Sequence, residues 1–195
     1  MLLMLLTTTM LLAPGHSARA QDPLACKTMN TASLPLATRK SPLDSLSFQV
    51  GGATVKLCYG RPSARGRSMI GGEAVAFGKL WRTGANEPTM IHTTGPITIA
   101  GVPVTAGSYS IYSIPGPKEW HIIVNRSITQ WGHESQYSDA VKAQEVGHGM
   151  ATSSGLSEPV ETMVFRTEPG SGGGFDLLLE WEKTRVTIPI GVGKQ

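Results

Sequence analysis

Residues 104–125 read VTAGSYSIYSIPGPKEWHIIVN. Ala106 and Gly107 turn the chain into the run 108–114, where Tyr109 and Ile111 alternate with serines. Pro115-Gly116-Pro117 breaks that run, because neither proline can donate to a ladder or continue a helix. EWHIIVN, residues 119–125, then supplies aromatic and β-branched residues in strand-length measure. Two such runs on either side of a Pro-Gly-Pro break predict strands, and the pattern repeats in both directions.

Upstream, Leu46, Phe48 and Val50 alternate with polar residues, Gly51-Gly52 follows, and a second alternating run covers 54–59. That is a hairpin pattern. Short strands are predicted at 79–83 and 89–94 around the turn 84–88, and at 97–99 and 102–104 around Ala100-Gly101. Downstream, strands are predicted at 160–167 and 175–181, with a last one at 184–190. Only 139–146, DAVKAQEV, has helical character. The expected fold is all-β: a single-domain antiparallel β-sandwich of about ten short strands over 45–191, with 192–195 as a tail. A closed β-barrel is the alternative.

The chain has 195 residues, a formal charge of +3, 23 Gly, 13 Pro and 2 Cys, which suits one domain with a sizeable core. Its 40% hydrophobic content excludes a disordered chain, and two cysteines exclude a disulfide scaffold or a four-cysteine zinc site. Residues 1–13 are apolar or hydroxylated and Ala18-Arg19-Ala20 follows, so 1–20 reads as a secretory signal peptide. The protein is therefore expected to be exported, periplasmic or extracellular. No apolar run after the signal is long enough for a transmembrane helix. Residues 21–44 read as a flexible N-terminal arm. Export permits a disulfide. In the 54–59 run Val55, Leu57 and Tyr59 share one face, so Cys58 faces away from the main core, where a segment carrying Cys26 could cross it. A Cys26–Cys58 bridge and two unpaired thiols are both open readings.

Charge is uneven. From Lys27 to Arg82 there are nine Lys/Arg against two acids; from Ala140 onward the acids lead seven to five. A basic N-terminal half suits an anionic ligand or an anionic envelope surface. Nucleic acid is not an expected partner, because no strand interleaves aromatic and basic residues. Three places gather polar residues at turns. Arg61, Arg65 and Arg67 lie in the glycine-rich loop 60–72, where guanidinium forks suit carboxylate or phosphate. Arg82, Asn86 and Glu87 lie in LWRTGANEP, residues 80–88. Asn125 ends the EWHIIVN run, followed by Trp131 and His133 in a loop that suits either a sugar-stacking rim or a tryptophan that plugs the sandwich end. The histidines have no metal-ligand spacing, and no nucleophile elbow, phosphate loop or dinucleotide fingerprint occurs, so neither metal nor cofactor is expected.

The runs YGRPSARGRSMIGG, FGKLWRTGANE, VTAGSYSIYSIPGPKEWHIIVN, TQWG and LLLEWEKTRVTIPI resemble, in this order, the bacterial family catalogued as domain of unknown function 2911. The resemblance spans about 41–190. It implies an exported or envelope-associated β-rich protein and no particular activity. The chain departs from the family after Trp131-Gly132, where Ser138 separates Tyr137 from Asp139.

The leading expectation is a binding module for a small polar ligand, anionic or glycan-like, held by Arg61, Arg67, Arg82, Asn86, Asn125 and Trp131. One alternative is an envelope structural or interaction protein in which these residues only stabilise the sandwich. Another is a hydrolase using Glu87 or His133.

Overall fold

The computed structural model describes residues 24–194. The expected signal peptide, 1–20, lies outside these residues.

β1 (Leu43–Val50) and β2 (Ala53–Gly60) pair as a hairpin whose register sets Val50 opposite Ala53. Gly51 (φ +53°) and Gly52 (φ +85°) make its turn, a left-handed pair that side chains with a Cβ rarely adopt. Alternation then sorts β2 between two faces. Val55, Leu57 and Tyr59 enter the main core, while Cys58 is buried outside it. The sheet continues through β3 (Thr89–Thr93), β4 (Ile97–Ile99), β5 (Val102–Val104), β6 (Gly107–Ile114), β7 (Glu119–Asn125), β8 (Glu145–Pro169) and β9 (Phe175–Val192). Every pairing is antiparallel, and the spatial order is β1-β2-β3-β6-β7-β8-β9-β4-β5.

This is one nine-stranded sheet, all-β as expected, and it does not close into a barrel. β8 and β9 fold it into layers. The first part of β8 pairs with β7 through residues 145–152, and its last part, 164–169, pairs with the start of β9. The register shifts between Gly155 and Val164, so the hairpin bends there. Its far end packs back on β1 and β2. Phe165 meets Tyr59 edge-on at 4.8 Å, and Phe175 meets Phe48 at 5.7 Å. Tyr59 Oη accepts from Phe165 N and lies 3.2 Å from an Asp44 carboxylate oxygen, and burial pushes its phenol pKa up. In the middle Trp81 lies against both Trp120 and Trp181, joining β7, β9 and the 80–88 loop.

A second, thinner layer covers the opposite face of β2, β3, β6 and β7. Cys58, Met90, Tyr112, Ile123 and Val141 are buried there, outside the main core. The segment 126–144 covers the β6–β7 side, carrying Tyr137 onto Tyr112 at 4.6 Å. The N-terminal arm covers β2 through a Cys26–Cys58 disulfide, Cα–Cα 5.6 Å. Cys58 does face away from the main core, and the arm does cross it.

Three elements differ from the sequence reading. Residues 79–83 make only an isolated bridge, Trp81 to Ser113, because the chain turns sharply at Thr83 (φ +56°). The helical character of 139–146 is spent in one turn, α1 (Asp139–Lys142), capped by Ser138. Residues 145–159 form strand although HGMATSSGLSE lacks apolar alternation. Ladder bonds to β7 and then β9 hold residues 145–155, and 156–159 cross the register shift before pairing resumes at Val160.

The disulfide joins residues 32 apart. Closing a loop of that length in the unfolded chain is worth about 3–4 kcal/mol. Replacing Cys26 and Cys58 together by serine is expected to lower the guanidinium unfolding free energy by roughly that amount. A double variant with an unchanged midpoint would show that the bridge constrains nothing.

Candidate functional site

The sequence-predicted polar residues do not meet in one cavity. They divide among three places.

The first is built on Glu87, at the end of the 80–88 loop. Its carboxylate is buried and receives a two-pronged bond from Arg39, Nη1 to Oε2 at 2.7 Å and Nη2 to Oε1 at 3.0 Å. The two side chains are 1% and 5% exposed. Met29 N also donates to Glu87 Oε1 at 2.6 Å, and Arg39 donates further to Met29 O and Leu34 O, so four of its five N–H groups are used. Trp131 lies against the guanidinium, 5.9 Å from ring centroid to Cζ. A pair this dry persists only because nearly every lone pair and proton is used. The arm, expected to be flexible, is therefore docked in its described part. Trp131, for which the sequence leaves a sugar-stacking rim and a plug of the sandwich end both open, lies over this ion pair.

Around it the backbone packs without room for a Cβ. A side chain at Gly60 would strike Ala85 O, and one at Gly132 would strike Asn86 O. The 84–88 loop is thus clasped between YGRP and QWGH. Asn86, left-handed at φ +65°, donates through Nδ2 to Ser41 O at 2.8 Å. Arg82 pairs with Glu134 at 3.3 Å and donates to Asn86 O at 3.4 Å. His133 is exposed and caps the short turn Glu134–Gln136 by accepting from Ser135 N. Glu87 is not free to act as an acid or base, since both its oxygens are held.

The second place is Asn125. It is buried, accepts from Ser127 N at 2.7 Å, and donates to Val141 O at 2.8 Å and to Tyr137 Oη at 3.3 Å. Tyr137 in turn donates to Glu145 Oε1 at 2.6 Å, and His148 Nε2 lies 2.7 Å from Glu145 Oε2. This chain pins 126–144 onto the sheet. Burial pushes the Tyr137 phenol pKa up, and its bond to Glu145 adds to that. Burial alone would raise Glu145, but the Tyr137 and His148 bonds and the nearby His148 and Lys142 charges outweigh it and hold its pKa below the ordinary carboxylate value.

The third place is the 60–72 loop. Arg61 joins three strands, donating from Nε to Met163 O at 3.1 Å and pairing with Asp44 at 3.2 Å. Arg65 and Arg67 are exposed and line a cleft of about 500 Å³ with Lys40, Ser41, Pro62 and Ser63. Arg65 Nη2 donates to Lys40 O at 3.1 Å. Arg67 donates to Ala64 O at 3.0 Å and Ser63 O at 3.2 Å. Among the described residues, no carboxylate lies within ion-pairing distance of Lys40, Arg65 or Arg67.

Of the six expected ligand residues, then, only Arg67 lines this cleft. Arg61, Arg82, Asn86 and Asn125 are committed to internal bonds. Lys40 and Ser41 come from the arm, where no periodicity marked them. Arg39 also went unseen, because a lone arginine in a polar segment carries no pattern. The clue available was Glu87, a carboxylate in the tight turn of LWRTGANEP.

Residues 41–190 match the family described as Protein of unknown function (DUF2911). The chain belongs to this family. The match covers the strands, the 60–72 loop, the clasp of the 84–88 loop and the Asn125 network, and it begins just after Lys40. No curated protein and no solved structure matches the chain. Among the described residues, no helix is long and apolar enough to cross a membrane.

Two predictions follow from this geometry. Arg39→Ala leaves the Glu87 charge buried, so it is expected to cost about 3–5 kcal/mol in chemical denaturation. Arg82→Ala, at a partly exposed pair, is expected to cost at most about 1 kcal/mol. Equal losses would contradict the assignment of Arg39–Glu87 as the central clasp. Glu145 is the second case. Because its folded pKa is depressed, its stabilising effect is complete above the ordinary carboxylate value and disappears as pH falls through the folded one. The stability advantage of the natural protein over Glu145→Gln in urea unfolding should therefore be complete at pH 7 and shrink as pH falls below the ordinary carboxylate value.

Proposed function

We propose that this DUF2911-family protein is an exported β-sandwich protein of the periplasm, envelope or extracellular space that binds a small anionic ligand between its arm and the 60–72 loop. One observation carries the ligand reading. Arg39, Arg61 and Arg82, like Arg166 and Arg185 on β8 and β9, are each paired with an acid. Lys40, Arg65 and Arg67 are not, and these three face one cleft of about 500 Å³. That volume is within the range of small-molecule sites. Three cations held together without an acid repel one another, and an anion entering between them relieves that repulsion.

Export is supported by two independent features. Residues 1–20 have the apolar run and Ala-x-Ala pattern of a secretory signal. Cys26 and Cys58 form a disulfide, which persists in oxidising compartments and is rare in the cytosol of ordinary cells.

A second reading, a structural or interaction protein, is favoured by the internal bonding of Arg61, Arg82, Asn86 and Asn125. These residues hold the fold, and the binding proposal does not use them.

NMR titration with acetate, sulfate and methyl phosphate at low ionic strength separates the two. The binding reading expects amide shifts confined to Lys40, Ser41 and residues 63–67, abolished by Arg67→Glu with the melting temperature preserved. If no anion moves these signals up to ~10 mM, equivalent to under about 3 kcal/mol of binding, the structural reading replaces it.

A further inference from the structure

Resting on that anion-binding reading, we infer that the cleft recognises a phosphate group, a tetrahedral dianion, in preference to a carboxylate.

The argument is one of donors and their directions. Arg65 projects from a left-handed residue (φ +53°), a conformation fixed because Glu161 Oε1 accepts its backbone N–H at 2.7 Å. One of its terminal nitrogens is tied to Lys40 O. Arg67 is tied through Nε and one terminal nitrogen to Ala64 O and Ser63 O. Each guanidinium is thus held in place by carbonyls while Nη1 makes no bond among the described residues. Lys40 Nζ is likewise unspent. The remaining acids here are engaged elsewhere: Asp44 pairs with Arg61, and Glu161 receives the Arg65 backbone.

These donors come from two walls, the arm with Lys40 and Ser41, and the loop with Ser63, Arg65 and Arg67. A carboxylate is planar and monoanionic, and one arginine fork already satisfies its two oxygens. Here three cationic residues line one cleft from its two walls. A phosphate monoester carries about −1.5 to −2 and three acceptor oxygens, so it matches both the charge and the number of donors. The Ser41 and Ser63 hydroxyls add neutral groups at the same cleft, Ser63 already sharing a 2.7 Å bond with Thr162.

The chemistry is common to a free phosphate monoester and to a lipid headgroup bearing one, and the test separates these sources. Binding to the purified, disulfide-bonded protein is measured by calorimetry at pH 7.5 and low salt. Methyl phosphate and sulfate are expected to bind about tenfold or more tighter than acetate. R65A/R67A should lose that preference while still unfolding in a cooperative transition from a native far-ultraviolet circular dichroism spectrum. Arg67→Lys, which keeps the charge and removes the bonds to Ala64 O and Ser63 O that hold the guanidinium, should lose part of it. Acetate binding as tightly as methyl phosphate, with both abolished in the double variant, would overturn the phosphate inference and leave the anion site standing. No binding of any anion, or full binding by the double variant, would remove both. Vesicles of phosphatidic acid in phosphatidylcholine supply the lipid arm. Flotation competed by methyl phosphate supports the inference with lipid as the source. Flotation that methyl phosphate does not compete counts against this cleft.

Discussion

Glu87 is taken out of water at one end of the sheet, and the rest of that end is arranged around the consequences. An isolated carboxylate there would be too costly to keep ionised. Arg39 supplies a two-pronged partner, Met29 a backbone N–H, and Trp131 a cover over the cation. None of these three neighbours Glu87 in sequence. The arm must therefore dock, and the 84–88 and 130–134 loops must close on each other, before the charge is compensated. The two glycines that let those backbones touch, Gly60 and Gly132, belong to the same device. A buried pair of this kind is weak evidence for net stability and strong evidence for a specified arrangement, since losing one partner strands the other.

The folded-over sheet explains why one polypeptide has two buried layers. β8 and β9 are long enough to leave the first layer, bend, and return across β1 and β2, closing the tryptophan-centred core. The opposite face of β2, β3, β6 and β7 is still partly apolar and needs its own cover. The disulfide-tethered arm and the segment anchored by Asn125 and Tyr137 provide it. The polar side chains of Asn86 and Asn125 are committed to these covers, bonding Ser41 O and Val141 O. Among the arginines of the described residues, those without an acid partner are Arg65 and Arg67, at the seam between the arm and the 60–72 loop, and Arg126, next to Asn125.

Much of the architecture is legible from local pattern. Alternation at 54–59 assigned Val55, Leu57 and Tyr59 to the core and Cys58 to the other face, because the side-chain period of a strand is two whatever surrounds it. Glycine pairs and prolines located the hairpins for an equally local reason, their restricted or permissive φ. The all-β class and the family resemblance follow from the same information. Residues 145–159 escaped because ladder hydrogen bonds, which leave no mark in side-chain hydrophobicity, make them a strand. The candidate site divided similarly. Sequence named Arg65 and Arg67 from residue type and loop glycines, but grouped only Arg67 into a site, with Arg61, Arg82, Asn86 and Asn125, which the fold uses internally. Only the tertiary structure decided which arginines meet acids and which meet water. Charge pairing depends on distances of a few ångströms between segments far apart in the chain, and Arg39 and Glu87, 48 residues apart, have no local pattern to announce their contact.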